Sequence, residues 1–477
     1  MNKIYVILLV LLVSFSCTKL EDMNVDPKRP TVVPGTSLVT NAMKDLGDQV
    51  ASTNVNRNVF RLWAQYWTET TYTDETNYDV KTRGVPDNVY DALYKDVLSD
   101  LKEASIIIPG EIVIEGTEIA IQNQLAIIDL LSVYTYHRLV DVFGDVPYSE
   151  AIDINNVLLP VYDDAASIYS DLVVRIDQDL AQLDESAGSF GSEDIIYNGD
   201  VASWIAFGHS LKLRIGIMLA DVNPGKSQQW VEEAAPFVIS SIQGNAILEY
   251  LGATPNTNPV YVDLVLSGRQ DFVAAKTIVD TMNFLNDPRR MQYFTLNPDG
   301  EYVGGGVGEQ NSFAEFSKPG SQLTSPGLPV VFLSYSEMQF YLAEAAERGY
   351  GVSGSAEDFY NEGIRASILF WGGTEEEYNA YVAQSDVAYA TAKGDFKQKI
   401  GMQSWIAFYN RGFAGYTQFR RLDWPALQPA ASPVDGVFPT RYTYPINEQT
   451  LNGTNYTNAA AAIGGDLSDT RIFWDVN

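Results

Sequence analysis

The chain has 477 residues, 46% of them hydrophobic, and carries 31 Lys and Arg against 61 Asp and Glu, a formal charge of −30. That length accommodates one large domain or two to three of roughly 150 residues each. The acidic excess argues against nucleic-acid binding, which needs Lys and Arg clustered at phosphates, and a single cysteine leaves no intrachain disulfide, so packing must hold the fold.

In chain order, Lys3 precedes an apolar run, Ile4 to Phe15, that is too short for a membrane-spanning helix of roughly 20 residues and reads as a signal-peptide core. Ser14 and Ser16 lie just before Cys17, which places lipoprotein cleavage after residue 16 and acylation at Cys17. Two or more acyl chains, each methylene buried at about 0.8 kcal/mol, make such an anchor stable. Residues 17–35, with Pro27, Pro30 and Pro34, cannot form a continuous helix and read as a lipidated tether. Residues 36–477 then form a single domain, with no later segment approaching a membrane span.

From Ser37 the pattern is helical. Val89, Leu93, Val97 and Leu101 share one face at four-residue spacing, and Ile168, Tyr169, Leu172, Val173, Ile176, Leu180 and Leu183 form a second stripe. Glu118 to Val140 is apolar nearly all round, interrupted by Gln122, Gln124, Asp129, His137 and Arg138, and is placed at the centre of the fold. Between Gly244 and Gly327 turn residues dominate, including the glycine cluster Gly304 to Gly306 with Gly308, read as a flexible loop; one helix, Asp271 to Leu285, interrupts this region. Ser336 to Arg348 ends at Gly349, and Ser355 caps the next helix with Asp358 three residues on. This hairpin has the dimensions of a tetratricopeptide unit. The fold class is mainly α, and beyond Pro425 the chain is again loop-rich.

Two histidines, His137 and His209, with one acylated cysteine provide no zinc cluster and no Cys/His nucleophile. Gly304 to Gly308 lacks the Lys-Ser/Thr of a phosphate cradle. The carboxylate pairs Glu111 with Glu115 and Asp163 with Asp164 have the chemistry of a glycosidase acid and base, but in so acidic a chain they read as surface charge. No cofactor is called for.

Several segments together resemble the SusD/RagB family of surface lipoproteins, within its SusD-like, starch-binding outer-membrane-associated branch. They are Asn24-Val25-Asp26-Pro27; Val140 to Ala151, with its core Phe143-Gly144-Asp145-Val146-Pro147-Tyr148; Ile196 to Asp200 leading to Trp204; and Ser210 to Arg214. Further on come Asp287-Pro288-Arg289, Ala343 to Ala346, Gln403 to Ala407, Arg420-Arg421 before Trp424-Pro425, and Tyr444-Pro445 before Glu448. The resemblance implies tetratricopeptide-type hairpins supporting a loop-rich ligand-binding region. It also implies an outward-facing lipoprotein of the outer membrane, touching membrane through its lipid alone and acting as the lid of a SusC-like TonB-dependent transporter. Such a protein binds oligosaccharide or peptide and hands it on without catalysis; a surface glycoside hydrolase or a structural surface protein are the alternatives.

A platform for sugar or peptide needs rings for stacking beside amide, Arg or carboxylate groups. Trp67 to Arg83 is the richest such segment, and Trp67, Tyr72, Asn77, Tyr78 and Arg83 are the candidate ligand contacts, with Asp74 between them. Because the family's ligand platform draws on early and mid-chain loops, Tyr302 and Phe313 of the glycine-rich region are their companions.

Overall fold

The computed structural model describes residues 33–111 and 118–476; the signal segment, Cys17 and Glu115 lie outside them. The first helix, α1 (Gly35–Ala51), opens at Gly35 rather than Ser37, because Pro34 supplies an extended residue immediately before the first turn. Val85–Asp91, a π-helical stretch Ala92–Leu98 and Ser99–Ile107 run on from one another as α2. The predicted stripe of Val89, Leu93, Val97 and Leu101 is buried along it.

The chain then builds consecutive helix pairs. α3 (Glu118–Phe143) packs on α4 (Ala165–Gln182), α4 on α5 (Val201–Met218), and α5 on α6 (Pro224–Ala234). Later, α8 (Tyr335–Glu347) pairs with α9 (Ala356–Phe370), and α10 (Phe396–Ala407) with α11 (Gly412–Leu422); α8 also contacts α5 and α10 and thereby joins the two halves. This is the predicted tetratricopeptide-type arrangement. α3 is central as expected, and every residue from Val133 to Phe143 is buried, His137 and Arg138 included.

Local chemistry explains the boundaries. Ser334 accepts from the Glu337 backbone N–H and opens α8, while Gly349, at φ +77°, closes the turn beyond it. Ser355 caps α9 through the Asp358 N–H at 3.1 Å; the Asp358 carboxylate accepts from the Ser355 hydroxyl rather than from the cap N–H. At the Phe-Gly-Asp-Val-Pro-Tyr motif, Gly144 takes φ +85°, Asp145 accepts from the Ala165 N–H at 2.9 Å, and Asp163 accepts from the N–H groups of Tyr148 and Ser149. Asp163 and Asp164, considered above as an acid–base pair, are thus a turn clasp and the N-cap of α4. Glu111 accepts from the Gly35 N–H at 2.8 Å.

Two short antiparallel ladders complete the frame. β2 (Ala246–Leu248) pairs with β4 (Val330–Leu333), and β1 (Trp67–Glu69) with β3 (Phe272–Ala274). The second corrects the helix expected over Asp271 to Leu285. Phe272–Ala274 within it is strand, paired Trp67 with Ala274 and Glu69 with Phe272, and the helix α7 is only Lys276–Phe284. A partner two hundred residues away wins over the local helical pattern.

At the centre Glu337, fully buried on α8, is held between Arg214 of α5 and Arg411 at the cap of α11, each 2.6 Å away. Burial pushes its carboxyl up, but the two guanidinium groups outweigh that and hold it below the ordinary glutamate range. Replacing Glu337 by Gln should destabilise the protein by about 3–5 kcal/mol, since two buried cations lose their counter-charge. A carboxyl depressed in the folded state stabilises above its unfolded value of 4.5 and loses that contribution as pH falls through the folded value. Denaturant midpoints should therefore separate native and E337Q protein widely at pH 6 to 7 and bring them together in acid.

Candidate functional site

The segment after β1 leaves the ladder at Thr70, whose N–H donates to the Asp271 carbonyl and whose hydroxyl donates to the Gln270 carbonyl. The two chain segments diverge there and form the walls of an open recess of about 400 Å³ lined by Val55, Glu69, Thr70, Tyr72, Arg83, Arg269 and Asp271. Tyr72 is 71% exposed, an uncommon position for so large a ring. Arg269 and Asp271 lie 3.8 Å apart and are both exposed. Arg83 pairs with Glu75 on its inner side and keeps 38% of its side chain in solvent.

Behind the recess lies an acidic pair. Glu69 is buried and accepts from both the backbone N–H and the hydroxyl of Thr76, at 2.9 and 2.8 Å. Burial pushes its carboxyl up to about 8; the Thr76 donors pull the other way, and the neighbouring Glu75 adds to the rise. Glu75 is fully buried and faces Arg83. At neutral pH Glu69 therefore keeps its proton, while Glu75 lies against the Arg83 guanidinium.

The structure brings only Tyr72 and Arg83 of the predicted contacts to this recess. Trp67 is a correction: at 1% exposure its ring lies against Phe272 and under Arg61, and its indole N–H donates to the Tyr409 hydroxyl at 2.8 Å. Strand pairing turns this side chain into the core. Asn77 and Tyr78 are likewise buried scaffolding. Asn77 donates to the Gly308 carbonyl and accepts from the Ser432 N–H; the Tyr78 hydroxyl accepts from the Ala430 N–H, and its ring meets Trp63 edge-on at 5.9 Å. Together they pin the C-terminal loop to the recess segment. Tyr302, outside the lining, is half-buried with Arg290 over its ring at 5.8 Å, and Phe313 has Lys318 over its own at 5.0 Å.

The glycine cluster is not a free loop either. The Gly305 N–H donates to the Ala274 carbonyl and the Gly305 carbonyl accepts from the Lys276 N–H, both at 2.8 Å. A Cβ at Gly304 would stand 2.5 Å from the Lys276 Cα, so glycine is needed for this close approach. Asn311 then bonds to the Glu69 carbonyl and fastens the segment to β1. The sequence reading did not single out Asp271, which stood at the start of the expected helix, or Arg269, two residues before it. The run Ser267-Gly268-Arg269, with Gly268 at φ +66°, was the available turn signal. Among the described residues no group of His, Cys, Asp and Glu could hold a metal ion, and no helix is long and apolar enough to cross a membrane.

A helical-pair scaffold that carries a polar, loop-walled recess with one exposed ring is the class of protein defined by this architecture. Residues 27–445 match the family model described as starch-binding, associating with outer membrane, and the chain belongs to this SusD-like family. Among solved structures it is similar to a chitin-binding protein at 26% identity and TM-score 0.81, covering 93% of this chain and 100% of that one. A SusD homologue from Bacteroides uniformis follows at 25% identity and TM-score 0.78, covering 92% and 99%. A chitin-binding SusD homologue from Flavobacterium johnsoniae, at 22% identity, TM-score 0.79 and coverage of 93% and 98%, shares the fold. No curated protein matches.

Because Glu69 is raised in the folded state, its stabilising contribution is complete below 4.5 and is lost as pH rises through about 8. Glu69→Gln, which keeps an acceptor for Thr76 without the titration, should lose less stability than native protein between pH 5 and 9. The difference at the alkaline end is on the order of 1–3 kcal/mol, read from urea midpoints across that range.

Proposed function

We propose that this protein is a lipid-anchored, outward-facing nutrient-binding protein of the outer membrane. In this reading it captures a glycan at the Tyr72 recess and delivers it to a SusC-like TonB-dependent transporter, over which it acts as a lid. The observation that carries the reading is the exposed Tyr72 ring set beside Arg83, Arg269 and Asp271 in one open recess. A sugar ring presents an apolar face that stacks on an aromatic ring and a rim of hydroxyls that pair with guanidinium and carboxylate groups. The family description and the chitin-binding protein that shares 26% of its residues with this chain support a glycan over a peptide. The recess supplies binding and orientation, and the reading assigns it no catalytic step.

Calorimetric titration with chitin oligosaccharides, starch oligosaccharides and short peptides should show binding to one of the glycans. Tyr72→Ala should weaken that binding about tenfold, by loss of stacking, with an unchanged unfolding temperature. Binding to peptides alone would move the ligand class, whereas no binding to any of the three and no co-purifying transporter would overturn the reading. Turnover of a labelled glycan that is abolished by a single carboxylate substitution would make the protein an enzyme instead.

The anchor is tested separately. Cys17→Ala should leave glycan affinity intact and release the protein from washed membranes. Retention of that variant on membranes would remove the lipid from the proposal.

A further inference from the structure

The core holds a cationic residue without a counter-ion. Arg138, in the middle of α3, is 4% exposed, yet its guanidinium makes no hydrogen bond or ion pair to any other described residue. Its one close partner is the ring of Phe413, 4.3 Å from the guanidinium carbon. A ring offers no lone pair in the guanidinium plane, and the buried Nε–H is left without an acceptor. A buried guanidinium normally has its donors filled, because an unpaired charge in a low-dielectric interior is costly.

Arg138 lines a narrow pocket of about 40 Å³, partly open to solvent, between α3, α5, α8 and the start of α11. The charged groups around it are Arg138 and Asp141 of α3, Arg214 of α5, Glu337 of α8 and Arg411 at the cap of α11. His137 also faces it, and burial lowers the imidazole below 6.5, so it adds no charge at neutral pH. Glu337 is taken by Arg214 and Arg411. Asp141 is turned toward other donors: the Tyr169 hydroxyl, the Trp474 indole N–H at 2.9 Å, and His137 at 3.5 Å. Three guanidinium groups thus face two carboxylates, and one positive charge is left over at Arg138.

We propose that this cavity is a binding site for one halide-sized anion, chloride in ordinary buffers, held by the in-plane donors of Arg138. The volume admits a monatomic ion or a water and is too small for phosphate or a sugar, since each water-sized occupant needs roughly 10–15 Å³. The local excess of guanidinium overcomes the acidic field of the whole chain, because charges a few ångströms away beside a buried guanidinium are screened far less than distant surface charges. The site is separate from the Tyr72 recess and does not depend on the function proposed for it.

Crystals grown in bromide in place of chloride, measured at the bromine absorption edge, should show an anomalous peak within hydrogen-bond reach of the Arg138 guanidinium. Bromide peaks elsewhere on the molecule with none at Arg138 would overturn the proposal and leave the cavity to water. In solution at about 0.15 M ionic strength, the native protein should unfold about 2 °C higher in chloride than in gluconate, which is too large for the cavity. Arg138→Met should abolish that difference, and an unchanged chloride effect in the variant would also overturn the site. The bromide measurement uses the native chain and stands even if the variant does not fold.

Discussion

The Glu337 carboxylate, buried and gripped by Arg214 and Arg411, is the contact on which the architecture turns. Both guanidinium groups also donate to the Phe332 carbonyl, at 2.9 and 3.0 Å, so that one cluster ties together β4, α5, α8 and α11. An ion cluster of this kind adds little net stability over a hydrophobic replacement, because desolvating three charges offsets most of their attraction. Its effect is directional. A guanidinium satisfied by one carboxylate and one carbonyl tolerates little sliding of the helices that carry it, whereas apolar contacts alone allow several registers. The Arg421–Glu344–Arg348 group repeats the device further along α8, and Arg289–Asp287 repeats it beyond α7.

This rigid half of the molecule matters to the recess because the recess has little regular structure of its own. Three rungs of β1–β3 ladder hold its floor. The rest depends on side chains that reach across long sequence distances: Asn311 to Glu69, Asn77 to Gly308 and Ser432, and Tyr78 to Ala430. Each satisfies buried backbone groups that a loop would otherwise leave unpaired. Tyr72, Arg83, Arg269 and Asp271 take no part in these long-range contacts and stay exposed at the recess.

Charge is distributed to the same end. The chain is strongly acidic, yet its guanidinium groups are concentrated in the interior and at the recess rather than spread over the surface. Arginine suits this placement, since its planar fork satisfies several acceptors at once and stays charged when buried. Glu69 shows the opposite behaviour. A carboxyl can shed its charge by taking up a proton, and burial beside Glu75 makes it do so close to neutrality.

The helical class, the central position of α3, the cap at Ser355 and the turn at Gly144 were legible in the sequence, because each rests on interactions within a few residues. The motifs that mark the family were legible for the same reason, being turns and caps with strict local requirements. Within Trp67 to Arg83 the composition could not separate Tyr72 and Arg83, which face the recess, from Trp67, Asn77 and Tyr78, which lie behind it. That sorting was decided by the pairing of β1 with β3 and by the docking of residues 430–432, contacts that span roughly 200 and 350 residues of chain. Nor does any local pattern distinguish Arg214, which meets Glu337, from Arg138, which meets no carboxylate. Periodicity says that a side chain faces inward; only the tertiary structure determines what it finds there, because its partner arrives from a distant segment whose placement depends on the packing of the whole core.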